Sequence, residues 1–150
     1  MVREPVSVSI NDFASREEIK AVEDAFRSAG IGARVDANYM MKSADLVPWI
    51  VSITLGYAAG AFFQGFFGKL GADAATKMQA WVRDLRKAWE SSPAKPGSIV
   101  IRGQNGTIVV IGDPPAQAYE SLLELDWEEV AGGYVLWDDS AGEWQDRRPG

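Results

Sequence analysis

A chain of 150 residues, 47% hydrophobic and 24% charged, has the composition of one globular domain, with disorder expected only at its ends. It contains no cysteine and no histidine, which removes disulfides, thiolate metal sites, cysteine nucleophiles, the commonest metal ligand and the usual general base. The net charge of −6 is uneven: acids crowd residues 112–150, whose only basic residues are Arg147 and Arg148, and that disfavours nucleic acid as a partner.

Val6-Ser7-Val8-Ser9-Ile10 alternates apolar and small polar residues, as a half-buried strand does. After the turn at Asn11-Asp12-Phe13, Ser15 and Glu18 have capping-box spacing. Ile19, Val22, Phe26 and Ala29 then recur at helical intervals up to Gly30, a natural stop. Ile31–Val35 is a second short strand, so the chain opens as a β-α-β unit. Residues 36–47 read as a loop.

From Leu46 to Gly68 no residue is charged, which is long enough for a membrane span. Pro48, Ser52, Thr54, Gln64 and several glycines weaken its apolarity. From about Ala58 the pattern is helical to Trp89. The stripe of Ala59, Phe62, Phe63, Phe66, Phe67 and Leu70 continues through Ala74, Met78, Trp81, Val82, Leu85 and Trp89, with charges beside it. One amphipathic stripe crossing from an uncharged into a charged half favours a core helix over a span. Pro48–Ile53 is alternatively a strand with its turn at Gly56, which shortens the helix. On the other face Gly56, Gly60, Gln64 and Gly68 recur every four residues, with Gly65 beside them. Small residues at that spacing admit a close neighbour. The neighbour is either the protein's own chain or a partner helix, a second copy or, after a trigger, a bilayer.

Residues 91–97 form a linker. Ser98–Gly112 then carries two β-branched runs flanking Asn105-Gly106, the signature of a hairpin closed by a type I′ turn. Asp113 reads as a helix N-cap ahead of Pro114, and Tyr119, Leu122 and Leu123 form that helix's apolar face. Trp127–Val130 and Tyr134–Trp137 are strand candidates, and residues 138–142 form a turn before Glu143-Trp144-Gln145. The expected fold is α+β: a mixed sheet (β-α-β, long helix, hairpin, helix, β-β) with helices mainly on one face. Residues 1–145 form one domain and 146–150 a frayed tail.

Candidate chemistry is sparse. Asp113 follows an apolar strand, where α/β enzymes place acids, but the cap reading accounts for it. Glu128-Glu129 and Asp138-Asp139 match no calcium loop or two-metal spacing and read as a solvated acidic face. Gly103–Gly106 lacks the lysine of a phosphate loop and joins strand to strand. No metal, cofactor or catalytic residue is assigned, and a non-enzymatic protein is expected. Trp127, Trp137 and Trp144 either close the core or form an aromatic contact surface within the acidic end.

VSVSI, a capped helix, PWIVSITLG leading into AFFQGFFGKLGADA and WVRDLRK, the SIVIRGQNGTIVVIG hairpin and a tryptophan-rich end together resemble the actinobacterial effector-associated constant components. The resemblance implies an accessory or adaptor role beside proteases, caspase-like enzymes and other effectors of bacterial conflict and antiphage systems. It implies no catalytic residues. The expectation is therefore a cytoplasmic adaptor that binds a protein effector, such as a protease, or self-associates. Its contact residues are Gly56, Gly60, Gln64, Gly65 and Gly68, together with Trp127, Trp137 and Trp144. The alternatives are a membrane-active component that inserts residues 46–68 on activation, and an inhibitor or immunity protein whose acidic end masks a basic site.

Overall fold

The VSVSI alternation forms β1 (Val6–Asn11) in a computed structural model that describes residues 6–11, 16–38, 51–87 and 98–147. The other strands are β2 (Arg34–Asn38), β3 (Val51–Leu55), β4 (Ile99–Arg102), β5 (Ile108–Ile111), β6 (Tyr134–Asp138) and β7 (Glu143–Asp146). They make one mixed sheet in the order β2-β1-β3-β4-β5-β6-β7. β1/β2, β3/β4 and β5/β6 are parallel pairs, and the remaining neighbours are antiparallel. The α+β expectation holds, and so does the strand reading of the segment before Gly56. The second strand is shifted from Ile31–Val35 to Arg34–Asn38 and takes in the first residues of the expected 36–47 loop; the rest of that loop, the capping box at Ser15, Pro48, Trp49, Trp89 and the linker at 91–97 lie outside the described residues.

Helix α1 (Arg16–Ser28) buries Val22, Ala25 and Phe26. It ends as expected at Gly30: the Gly30 amide donates to the Arg27 carbonyl (3.0 Å) and the Ile31 amide to that of Phe26 (2.9 Å). This double closure satisfies carbonyls that would otherwise be orphaned.

The single helix expected from Ala58 to Trp89 is instead broken. Ala61–Phe67 is a π-helical segment, Gly68–Asp73 is a 3₁₀ segment, and α2 (Ala74–Lys87) follows. Two physical reasons account for the break. Gly71 takes φ 73° and ψ −138°, a conformation outside any helix that a side chain resists. Upstream, the wider π turn gathers four phenylalanines: the Phe62 ring lies 5.2 Å from Phe63, 6.3 Å from Phe66 and 5.6 Å from Phe67. The apolar stripe survives the break, because Phe62, Phe63 and Phe67 meet Trp81 and Met78 in one core.

The hairpin forms where expected with a different turn. Gly103 and Thr107 pair (2.8 Å), the Gly106 amide donates to the Gly103 carbonyl (3.1 Å), and Gly106 alone takes positive φ, at 91°. Asn105 does not take positive φ and its side chain accepts the Thr107 amide (3.3 Å), so three residues close the loop rather than two. Helix α3 (Ala116–Leu123) begins at Pro115 with no side-chain cap, so Asp113 is not the cap the sequence suggested. Residues 127–130 form turns rather than a strand. The buried Thr107 hydroxyl holds them, accepting the Gly132 amide (3.0 Å) and donating to the Val130 carbonyl (3.4 Å). Asp146 belongs to β7 and the Arg147 amide donates to the Tyr134 carbonyl (2.7 Å), so the ordered chain runs past the expected tail boundary.

One face of the sheet, with Val8, Ile53, Ile101, Val109 and Val135 in register across five strands, is buried under α1, α2, α3 and the phenylalanine segment.

Candidate interaction surfaces

The small-residue positions separate into two groups. Gly60 lies against Trp127, and a Cβ placed on it would sit 2.7 Å from the Trp127 Cβ and 2.8 Å from its Cγ. Gln64 reaches the residues just before Trp127, its Nε2 donating to the carbonyls of Leu123 (3.1 Å) and Leu125 (3.2 Å) at the end of α3. These carbonyls have no intrahelical partners, so Gln64 serves as a C-cap delivered from another element. The chain's own 123–127 segment therefore occupies the Gly60/Gln64 side. Gly56 and Gly68 are exposed, and a Cβ on Gly65 would meet nothing within 4 Å. A Cβ on Gly68 would meet only the Phe63 carbonyl of its own turn, at 3.9 Å.

The tryptophans are largely internal. Trp127 is buried and stacks on Phe63 (5.1 Å, 8°). Trp144 is buried and donates its indole N–H to the Ala118 carbonyl of α3 (2.9 Å). Trp137 meets Trp144 edge-on at 5.5 Å and donates to Asp139 (2.7 Å), leaving only part of its ring accessible. Trp137 and Trp144 close the β6–β7 end of the core, while Trp127 covers the phenylalanine segment.

Asp138 organises the turn before β7. The Ser140 hydroxyl donates to it (2.6 Å), as do the amides of Ser140 (3.0 Å) and Ala141 (3.3 Å), and these bonds, the hydroxyl's first, hold its carboxyl below the usual range. Among the described residues no group of three or more acids is arranged to hold a metal. Asp113 is exposed beside the buried Tyr119, while Arg86 donates to the neighbouring Gly112 carbonyl (2.8 Å). Burial, reinforced by the Asp113 charge, pushes the Tyr119 hydroxyl up to about 12, with Arg86 and Arg83 opposing. The unfolded chain releases that proton near its ordinary value of 10.0, so Tyr119 stabilises the fold fully below that pH. Stability should then fall as pH rises from 10.0 to about 12. Alkaline unfolding of wild type against Tyr119→Phe, which lacks the ionisable group, checks this: the variant should lose less stability across the window.

Two surfaces remain available. The first is the far face of the sheet, where no described helix packs. On β1 and β3 it shows Ser7, Ser9, Ser52 and Thr54. On β4, β5 and β6 it turns apolar: Val100, Val110 and Leu136 lie in one cross-strand row, and Ile108 and Tyr134 continue from Arg102 in the next. None of these five apolar side chains joins the core, each is partly accessible, and Tyr134 is 40% exposed. The sequence signal for them was present. VSVSI alternates cleanly, whereas IVIR, IVVI and YVLW are apolar on both parities, as strands with two apolar faces are.

The second surface is a groove of about 260 Å³ between α1 and α2, floored by Ala25, Phe67 and Trp81. At its mouth Leu70 is 36% exposed on the 3₁₀ segment, which buries none of its residues.

No family model, no curated protein and no solved structure matches the chain. Among the described residues, no helix is long and apolar enough to cross a membrane. The described part of the uncharged run is divided between β3, paired on both sides inside the sheet, and the π-helical segment.

Proposed function

We propose that the chain is a non-catalytic accessory protein of a bacterial conflict system that docks an effector protein on the face of β4–β6 that no described helix covers. The observation that supports this reading is the apolar strip of Val100, Ile108, Val110, Leu136 and Tyr134, bordered by Arg102. A contiguous apolar patch ringed by polar groups marks an interaction site, because leaving it in water is unfavourable. Arg102 makes no ion pair among the described residues, so an acid on the effector would complement it. The absence of histidine and cysteine and the resemblance to effector-associated components point the same way. A cytoplasmic location belongs to this proposal. Insertion of residues 46–68 into a bilayer is less favoured, since it would withdraw a central strand from the sheet.

The test is co-expression with the proteins encoded beside it, followed by titration calorimetry on any complex. Leu136→Glu and Val110→Glu place charge on the strip without touching the core and should weaken binding at least about tenfold. A complex that tolerates both variants would remove the sheet face from the proposal. Failure to bind any neighbouring product would remove the adaptor role.

A further inference from the structure

The groove between α1 and α2 carries a pattern that the sheet-face reading does not use. On α2, Lys77, Ala80, Trp81 and Asp84 line it at i, i+3, i+4 and i+7 spacing, two turns of one helix face. Lys77 is exposed and makes no ion pair among the described residues, and Asp84 meets only Lys87, at 3.9 Å. The base and the acid stand symmetrically about the Ala80–Trp81 midpoint. We propose that this face receives a second copy of the same chain, α2 lying antiparallel on α2 across a two-fold axis near Ala80.

That arrangement is self-complementary. Lys77 faces Asp84 of the second copy, and Asp84 faces its Lys77, so one sequence supplies both halves of each pair, as an isologous interface requires. A parallel arrangement would set Lys77 against Lys77 and is disfavoured by like charge. At the crossing point Ala80 is exposed and small, and Ala29, the residue after α1, lines the same groove, so the two helices can approach closely. Leu70 stands beside the same groove and loses its exposure when a second copy covers it. The charge pairs set register and orientation, while the apolar floor supplies the driving force.

The experiment is sedimentation equilibrium on the full chain over a wide concentration range, with circular dichroism confirming that each variant is folded. Wild type should show a reversible monomer–dimer equilibrium. Lys77→Glu and Asp84→Lys should each weaken it about tenfold or more, since each replaces both salt bridges by repulsive pairs. The double variant K77E/D84K recreates the pairs with reversed polarity and should restore dimerisation. A wild type that stays monomeric at the highest concentration overturns the proposal. So does a dimer indifferent to either single reversal, or a double variant that stays dissociated. Leu136→Glu on the opposite sheet face should leave the dimer intact, so failure here is distinct from failure of effector docking.

Discussion

Gly60→Ala should lower the unfolding free energy by about 1–3 kcal/mol, the usual cost of forcing atoms into a packed site. An added methyl at Gly60 would sit 2.7 Å from the Trp127 Cβ, an atom rigidly tied to the backbone that cannot swing away like the tip of a long side chain. Gly60→Leu should be worse still, separating Trp127 from Phe63 and Gln64 from the end of α3. Gly65→Ala serves as the control. Its methyl would enter open space, so urea midpoints should be unchanged or slightly raised, because alanine costs less than glycine in a helix. Equal losses at the two positions would show that the glycines act through backbone flexibility and not through the close approach of Trp127.

Trp81→Ala should be the most damaging single substitution, costing about 3–5 kcal/mol, a large share of the ~5–15 kcal/mol that holds a domain together. Trp81 is the meeting point of the helical layer, with ring centres at 5.5 Å from Phe26, 5.7 Å from Phe62 and 5.5 Å from Phe67. Trp81→Phe should cost far less, for two reasons. It keeps most of the ring contact, and it removes an indole N–H that is buried with no hydrogen-bond partner among the described residues. Burying such a group unpaired costs on the order of 1–3 kcal/mol, which offsets part of the lost volume. Thermal melts of the two variants beside wild type decide the point. If phenylalanine destabilises as much as alanine, ring shape at this site matters more than the orphaned donor.

Much of the sheet was legible because strands announce themselves locally. β1, the β4–β5 hairpin and β6 follow from alternation, β-branched runs and an Asn-Gly pair, and the structure places all of them. Three expectations failed, two because tertiary contacts overrode a local signal and one because a neighbouring residue took the position. The stripe from Phe62 to Leu85 is a core stripe except at the exposed Leu70, and periodicity cannot register Gly71 turning out of the helix or a π turn drawing four rings together. Trp127–Val130 has strand composition, but Trp127 is needed against Gly60 and Phe63, and Thr107 holds the turn that delivers it. Asp113-Pro114-Pro115 has the sequence of a capped helix start, but the second proline takes the cap position itself. The small-residue series was half informative. Gly60 and Gln64 did mark a close neighbour, and that neighbour is the chain's own 123–127 segment. Spacing alone could not distinguish it from a partner. The sheet's apolar outer strip was written in the doubly apolar strands, and reading it requires knowing which parity faces the helices.

The placement of every described helix on one side of the sheet has a consequence for avidity. A second chain seated on α2 would stack the helical layers between two sheets, leaving the faces without described helices outermost and pointing away from each other. Under the proposed docking, one dimer would then hold two effector molecules at a fixed separation, at effective concentrations that can reach about millimolar for closely tethered sites. For an effector that works only when two copies meet, the number of faces presented would govern activation more than the strength of either contact.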